Sequence, residues 1–380
     1  MQCLADHVHK VAVRQLKLLR YRNYSFLNIH FSGQRVVFTG HNGAGKTNLL
    51  EALSFLSPGR GLRRAAYSDI SFVDGGGEGF VVFARLECAL YGEVKIGTAL
   101  EVSDNSRKVH INGVSEPNDC LTNYCHISIL TPSMDGLFTG SSLERRRFLD
   151  RMVLAIDPLH SRRIADYEKV MRARNRLFFD GSEDYSWFDA LEKQMAELAT
   201  AISAARIDVI RLLNDMFIQM PSQILFPRAF LQVDGFLETA LSEISATEVE
   251  EQFFDRLRRN RAADRAAGRT LEGPHRTDLQ VFYADKNRAA TSCSTGEQKA
   301  LLIGLVLCHA RLTGMMSERA PILLLDEMVA HLDSHRRSAL FDILDDLAVQ
   351  TFMTGTDRIF FDDLKGQAEF FEIKNGALLL

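Results

Sequence analysis

The chain begins with three short runs in which apolar residues recur at strand spacing: VAVRQLKLL from Val11, FLNIHF from Phe26 and RVVFT ending at Thr39. Each predicts a β-strand. Gly40 then opens a glycine-rich loop, and the period changes. From Lys46 to Leu56, Leu49, Leu50, Leu53 and Leu56 share one face of a predicted helix. Gly79 to Gly113 returns to strand spacing as a meander of GFVVFARLECALY, GEVKIGTALEV and RKVHING, with Asn112-Gly113 at a hairpin turn. Near residue 140 the helical period takes over. Asp157 to Phe178 repeats at Ile164, Tyr167, Met171, Arg174 and Phe178. Ser186 to Met220 repeats at Phe188, Leu191, Met195, Leu198, Ile202, Ala205, Val209, Leu212 and Met216. The second run amounts to about 45–50 Å of helix. Joined by DGSEDY, the two predict an antiparallel pair, either packed within one lobe or projecting as a short arm; periodicity does not separate these.

From Leu279 strands and helices alternate: LQVFY, a helix after Thr295, PILLLD, a helix from Ser334, QTFMT, and FFEIKNGALLL as a hairpin around Asn375-Gly376. The expected organisation is an α/β head assembled from residues 1–138 and 273–380, with a helical second domain, 139–272, inserted between them.

Composition narrows the class. A chain of 380 residues, 46% hydrophobic and 25% charged, has the balance of a water-soluble globular protein. Its net charge of −4 excludes a generally basic nucleic-acid binder, so any DNA contact needs a local basic face. The six cysteines (Cys3, Cys88, Cys120, Cys125, Cys293, Cys308) include no CxxC pair, which argues against a zinc site or disulfide framework. The N-terminal residues lack a signal-peptide apolar region, and no uninterrupted apolar run nears the ~18–20 residues that span a bilayer. The expected location is the cytoplasm, with no membrane partner.

The strongest chemical signal is GHNGAGKT, between a predicted strand and helix. Gly40, His41, Asn42, Gly43, Ala44 and Gly45 form a loop whose backbone amides can surround phosphate oxygens at a helix N-terminus, with Asn48 just inside that helix. Lys46 is placed to reach the β- and γ-phosphates, and the Thr47 hydroxyl to ligate Mg²⁺. The second signal is PILLLDE: four aliphatics predict a strand buried on both faces. Asp326 at its end is placed for Mg²⁺, and Glu327 to polarise an attacking water. ATP and Mg²⁺ are the expected cofactors. Third, Ser294-Thr295-Gly296-Glu297-Gln298 precedes the apolar helix KALLIGLVLCHARL. A serine there is ordinarily only a cap.

These motifs, followed by Ala330-His331-Leu332-Asp333, resemble in their order the ABC-type ATPases: P-loop, signature, Walker B, D-loop. That resemblance implies that nucleotide lies between two heads, with Ser294 and Gly296 acting across an ATP-dependent homodimer and with Gln298 and Asp333 among the nucleotide-binding residues. The stretch from Lys46 to Ser294 is longer than in transporter ATPases and shorter than in SMC proteins. The flanking blocks Tyr21-Arg22-Asn23-Tyr24, NLLEALSFLSPGRGLRR, RRRFLDRMVLAIDP, YEKVMRARNRLF and GPHRTDL resemble the RecF family of bacterial repair ATPases, over nearly the whole chain. The resemblance implies a protein that binds ATP and double-stranded DNA, dimerises, hydrolyses slowly, and works with RecR and RecO in loading RecA. It also implies that Arg22 and Asn23 lie near the nucleotide. Rival readings are a scaffold that binds nucleotide without turnover and the ATPase subunit of a transporter.

Two positions depart from the ABC pattern. The switch segment Met353-Thr354-Gly355-Thr356-Asp357 has no histidine, leaving Thr354 or Thr356 as the substitute, and ILTPSMDGLF has no glutamine, leaving Asp135 as the nearest polar residue. For DNA, two arginine runs stand out. One is Arg145, Arg146, Arg147, Arg151, Arg162, Arg163, Arg172, Arg174 and Arg176; the other runs from Arg256 through Arg258, Arg259, Arg261 and Arg265 to Arg269. Arg145, Arg146, Arg147, Arg258 and Arg259 are the expected phosphate contacts. The alternative is a solvated face paired with local carboxylates. Aromatic residues are not interleaved with these runs, which favours duplex over single strands.

Overall fold

A computed structural model of the protein describes residues 8–72, 79–100, 106–220 and 226–379. Along the chain come β1 (Val11–Tyr21), β2 (Tyr24–His30), β3 (Arg35–Thr39), α1 (Lys46–Ser54), β4 (Phe80–Cys88), β5 (Gly92–Leu100), β6 (Arg107–Ile111), β7 (Val114–Glu116) and β8 (Ile127–Leu130). Helices α2 (Ser142–Leu154), α3 (His160–Phe179) and α4 (Tyr185–Gln219) lead to β9 (Ala229–Asp234), α5 (Phe236–Leu241), α6 (Ala246–Arg259) and α7 (Arg261–Ala267). Then follow β10 (Asp278–Tyr283), β11 (Arg288–Ala289), α8 (Thr295–Ser317), β12 (Ile322–Leu325), α9 (Ser334–Asp346), β13 (Thr351–Gly355), β14 (Glu369–Lys374) and β15 (Ala377–Leu379). The expected strand GEVKIGTALEV is present as β5 through Leu100; its last residues, Glu101 and Val102, lie outside the described residues, as does Leu380.

The described residues fall into two compact units. The first holds those of 1–135, 222–226 and 302–380, the second those of 136–221 and 227–301. The expected second boundary, at residue 272, precedes the change of unit after Leu301. The reason is strand pairing: β10 lies antiparallel between β9 and β11, so the segment after GPHRTDL completes a sheet that β9 began.

The first unit has two sheets over a shared core. One, ordered β2-β1-β4-β5-β6-β7, is antiparallel throughout. Its strands alternate: in β4, Phe80, Val82, Ala84, Leu86 and Cys88 are buried and their neighbours are more exposed. The other, ordered β15-β14-β3-β13-β12-β8, has parallel pairing from β14 to β8. Here alternation disappears, because RVVFT, ISIL, ILLL and TFMTG are buried at every position, as strands covered on both faces must be. A β-bulge between Val13 and Gln15 interrupts the β1–β4 register. Buried Gln350 answers it by accepting from Val13 N at 2.6 Å and donating to Val13 O at 3.0 Å and Gly33 O at 3.2 Å.

The second unit is helical around its small sheet. α4, at 35 residues, is about 52 Å long. The α3–α4 pair is antiparallel and packed. Met195, Ala196, Ala199 and Ile202 meet Val249, Phe253 and Leu257 of α6, and Phe178 stacks on Phe188 with centroids 4.8 Å apart where the pair turns. Arg174, read from the sequence as part of a basic run, is wholly buried. It donates to Glu192 at 2.9 Å, Asp264 at 2.7 Å, Thr270 at 2.9 Å and the Leu257 carbonyl at 3.0 Å. This arginine holds α3, α4, α6 and α7 together and is unavailable to DNA. α8 alone has the length and apolarity to cross a membrane among the described residues, but 78% of its apolar window is buried inside the protein.

Two histidines make folding pH-dependent. Burial, reinforced by Arg319 and His309, pushes His126 down to about 4. Burial, opposed by the Thr270 carbonyl, takes His275 to about 4 as well. Both are neutral in the fold and take up protons near pH 6.5 when unfolded. Stability is therefore full above about pH 6.5 and declines as pH falls toward about 4, by about 1–3 kcal/mol per histidine. Urea unfolding across that window should show the decline, and His126→Gln should flatten it.

Candidate nucleotide-binding site

The glycine-rich loop is shaped from several sides. At Gly40 (φ +147) a Cβ would lie 2.2 Å from the Ile373 carbonyl oxygen, so only glycine passes between β3 and β14. At Gly45 (φ +115) a Cβ would meet Asn23 Nδ2 at 2.5 Å and Tyr24 Oη at 2.7 Å. Those side chains come from the Tyr21-Arg22-Asn23-Tyr24 block, which is the tight turn of the β1–β2 hairpin, entered at Arg22 with φ +53. Asn23 Nδ2 donates to the Ala44 carbonyl at 3.1 Å, Tyr24 Oη to the Gly45 carbonyl at 3.0 Å, and Asn48 Nδ2 to Asn23 Oδ1 at 2.7 Å. The loop is thus pinned by its carbonyls, which leaves its amides and the first N–H groups of α1 for an anion. His41, Asn42 and Gly43 form the exposed rim. Beside Gly43 opens a groove of about 650 Å³ that Asn23, Phe26, Asn375, Gly376 and Leu378 help to line.

The charged residues converge behind the loop. Lys46 is 3% exposed, and its Nζ donates to the carbonyls of Gly40 at 2.6 Å and His41 at 3.0 Å, 3.9 Å from Glu327 Oε1. Burial lowers its pKa, and the charges of Glu327 and Asp326 partly restore it. Asp326 Oδ1 accepts from Thr47 Oγ1 at 2.9 Å and from Thr354 Oγ1 at 2.8 Å. Burial raises this carboxyl, the two hydroxyl bonds oppose that shift, and the Glu327 charge adds to it. Thr354 Oγ1 also accepts from the Glu327 amide at 2.9 Å. Glu327 sits at φ +51, an uncommon conformation for a glutamate that costs about 1 kcal/mol or more and is held by this bond. Of the two switch threonines, Thr354 is at the centre of the cluster, while Thr356 is exposed. Asp135 is exposed at the end of a short turn, its amide donating to the Pro132 carbonyl at 3.0 Å. Among the described residues no group of three or more His, Cys, Asp or Glu could hold a metal. The two oxygens of Thr47 and Asp326 suit Mg²⁺, which keeps several waters and takes few protein ligands.

Arg22 is engaged by the helix that follows the loop. Its guanidinium makes paired bonds of 2.8 Å to Glu51, a fully buried residue of α1, and donates to the Asp69 carbonyl at 2.6 Å. It braces the helix behind the loop. The loop after α1 has its own brace, which sequence reading did not find: Arg107, on β6, reaches the carbonyls of Phe55, Ser57 and Gly59 and lies 5.0 Å over the Phe55 ring. Its only signal was an arginine at an inward position of a strand.

In the second unit, Ser294 and Gly296 are exposed at the start of α8. Ser294 caps that helix in a reciprocal pair with Glu297, and Gln298, buried, donates to the Cys293 carbonyl at 3.0 Å. In the first unit Asp333 caps α9 through the Arg336 amide at 2.9 Å.

The arginine runs divide sharply. Arg145 makes a paired bridge to Asp278 at 2.7 and 2.8 Å and donates to the Phe138 and Gly140 carbonyls. Arg146 donates to the Thr277 carbonyl at 2.7 Å; burial lowers its pKa, the charges of Arg206 and Arg276 lower it further, and those of Asp150 and Asp278 oppose the shift. Arg206 is itself committed to Asp150 and the Pro274 carbonyl. Arg147 and Arg276 are exposed and make no ion pair with any described residue. Arg258 approaches Asp189 at 3.3 Å, and Arg259 donates to the Asp255 carbonyl at 3.3 Å. Arg276 was missed as a cation because it was read only as part of GPHRTDL.

Comparison with known proteins agrees with this architecture. The RecF/RecN/SMC N terminal domain family matches residues 12–377. The chain is 55% identical over 378 residues to the DNA replication and repair protein RecF of Brucella suis biovar 1 (strain 1330), covering 98% of each. It is 52% identical over 369 residues to that of Mesorhizobium japonicum, covering 96% of this chain and 97% of the relative. Among solved structures, the recombination mediator protein RecF-ATPrS in the RecFOR pathway superposes with a TM-score of 0.85 at 22% identity, over 98% and 99% of the two chains. The Smc head bound to the C-winged helix domain of ScpA reaches 0.54 at 16% identity, over 96% and 95%. The two structures speak to the fold, an ABC-type P-loop ATPase head with an inserted helical domain, and the sequence relatives to the family: the chain belongs to the RecF family.

Proposed function

We propose that this protein is an ATP-dependent DNA-binding protein of recombinational repair and replication restart, acting in the cytoplasm. The observation that carries the reading is the convergence of Lys46, Thr47, Asp326, Glu327 and Thr354 behind a phosphate-shaped loop. In this reading the loop amides and Lys46 bind the β- and γ-phosphates of ATP, and the groove beside Gly43 takes the nucleoside end. Thr47 and Asp326 hold Mg²⁺, which when bound neutralises phosphate charge. Glu327 orients the attacking water, and Thr354 sets the Glu327 backbone in place of a histidine, consistent with slow turnover.

Ser294 and Gly296 of a second copy complete the triphosphate, so that ATP closes a homodimer and hydrolysis releases it. The dimer clamps double-stranded DNA near a single-strand junction and assists RecR and RecO in loading RecA; the names of the relatives support a role in DNA replication and repair and in the RecFOR pathway. On each subunit the first candidates for phosphate contact are Arg147 and Arg276, beside Arg146, with Arg258 and Arg259 a second group. Arg145 is committed to Asp278 and supports the others.

Lys46→Met is expected to abolish ATP binding, while Glu327→Gln binds ATP and accumulates the dimer. Sedimentation with and without ATP and duplex DNA reads both, and a Glu327→Gln protein monomeric at saturating ATP would refute the switch. Thr354→Val strands the Asp326 carboxylate and Glu327 amide and should cost about 1–3 kcal/mol in urea unfolding. Thr354→Ser should recover most of that, and Thr356→Ala should stay within about 0.5 kcal/mol of wild type. Arg147→Ala with Arg276→Ala should weaken duplex binding and flatten its log–log salt dependence by about 1–2 units, measured by titration at several salt concentrations.

A further inference from the structure

The tip of α8 carries a charge arrangement that its capping role does not explain. Ser294 N and Oγ both donate to Glu297 Oε2, at 2.8 and 3.0 Å, and the Glu297 amide returns to Ser294 Oγ at 3.4 Å. That is a reciprocal cap. The other carboxylate oxygen, Oε1, accepts from Lys286 Nζ at 2.5 Å. Lys286 stands in the short turn Ala284–Lys286 after β10, where Asn287, at φ +43, turns the chain back into β11. Its ammonium also lies 5.0 Å from the Tyr283 ring centroid. A turn lysine and a signature glutamate, 11 residues apart, are thus joined through one carboxylate.

As a stability element the pair is weak, since Lys286 is half exposed and an exposed ion pair contributes little. Its consequence lies elsewhere. The hydrogen bond from Lys286, with those from Ser294, holds the Glu297 carboxyl down to about 2, so it is anionic at any ordinary pH. An anion bonded to the Ser294 hydroxyl competes with a terminal phosphate for the same proton and repels it. Once two chains close and water leaves, that repulsion is strengthened by the lower local dielectric.

We propose that Lys286 is a positioning residue for the nucleotide contact made between two copies of the chain: it neutralises Glu297 so that the partner's terminal phosphate can take the Ser294 hydroxyl. The inference rests on Ser294 acting on a second copy's triphosphate, as proposed above. Lys286 need not touch the nucleotide. It works by cancelling a charge whose capping role the helix retains.

The test is sedimentation equilibrium of the full chain with saturating Mg-ATP, in a Glu327→Gln background that holds the nucleotide. Adding Lys286→Met should raise the dimer dissociation constant about tenfold or more at low salt. Rising salt should shrink that defect. Lys286→Arg should dimerise within about threefold of the parent, and Lys286→Met combined with Glu297→Gln should return to the same range. A purely structural role for Lys286 would lower the melting temperature and would not be relieved by removing the Glu297 charge. Dimerisation of Lys286→Met at the parent's dissociation constant, or a defect that Glu297→Gln leaves in place, overturns the inference while the ATP-closed dimer stands. A parent that stays monomeric with ATP overturns the dimer itself, and this inference with it.

Discussion

The structure of the first unit is organised around one oxygen atom, Asp326 Oδ1, which accepts hydroxyl bonds from Thr47 and Thr354. The three residues belong to different segments: Thr47 opens the helix after β3, Asp326 follows β12, and Thr354 is in β13. In the parallel sheet β3, β13 and β12 are neighbours, so their C-terminal ends emerge side by side. A buried carboxylate there is expensive unless its lone pairs are satisfied. The register is therefore under a polar constraint as well as a hydrophobic one. A slip of one residue between β12 and β13 would turn Thr354 to the opposite face and leave Asp326 short of a donor.

That constraint accounts for the discontinuous construction of the unit. β3 comes from the first part of the chain, and β12 and β13 from the last part. No short loop could bring the phosphate loop to Asp326; the sheet does it. The strand between them in space, β13, carries Thr354, whose hydroxyl touches both Asp326 and the Glu327 amide. Position and chemistry are coupled at this residue. The left-handed backbone at Glu327 is tolerated because its amide has a fixed acceptor, and its carboxylate is thereby directed toward Lys46, 3.9 Å away.

Much of this was legible in the sequence, for identifiable reasons. The strand of PILLLD was readable because a strand covered on both faces needs an unbroken aliphatic run, and the P-loop because phosphate binding demands glycine at fixed spacing. The helix pair was readable from its period, but not its packing: the residues of α6 that cover it lie well beyond it in the chain, and periodicity carries no information about what lies opposite. The choice between Thr354 and Thr356 was open because they differ only in position relative to the end of β13. The first ends in the core and the second in solvent, and strand alternation alone assigns both to one face. Arg22 is placed near the nucleotide by resemblance, and nothing in the sequence marks Glu51, a helix residue among leucines, as the buried carboxylate that pairs with its guanidinium.

The arginines teach the same lesson more sharply. A run of like charges in sequence says nothing about how many survive as free charges after folding. Arg145, Arg174 and Arg206 are consumed by Asp278, by Glu192 with Asp264, and by Asp150, in bonds that close the second unit around its own polar interior. Truncating one partner of a buried pair leaves the other uncompensated, at a cost of about 3–5 kcal/mol. Substitution at such positions would therefore abolish DNA binding through loss of the fold, imitating a contact. The distinction matters for a protein with net charge −4, where electrostatic attraction to a phosphate backbone can come only from cations whose charge the fold has not already matched. Arg147 and Arg276 meet that condition, whereas Arg146, pressed by the charges of Arg206 and Arg276, has those of Asp150 and Asp278 to offset them. Those two carboxylates are already bonded to Arg206 and Arg145, so the positive charge left for a ligand on this segment is that of the two exposed guanidiniums.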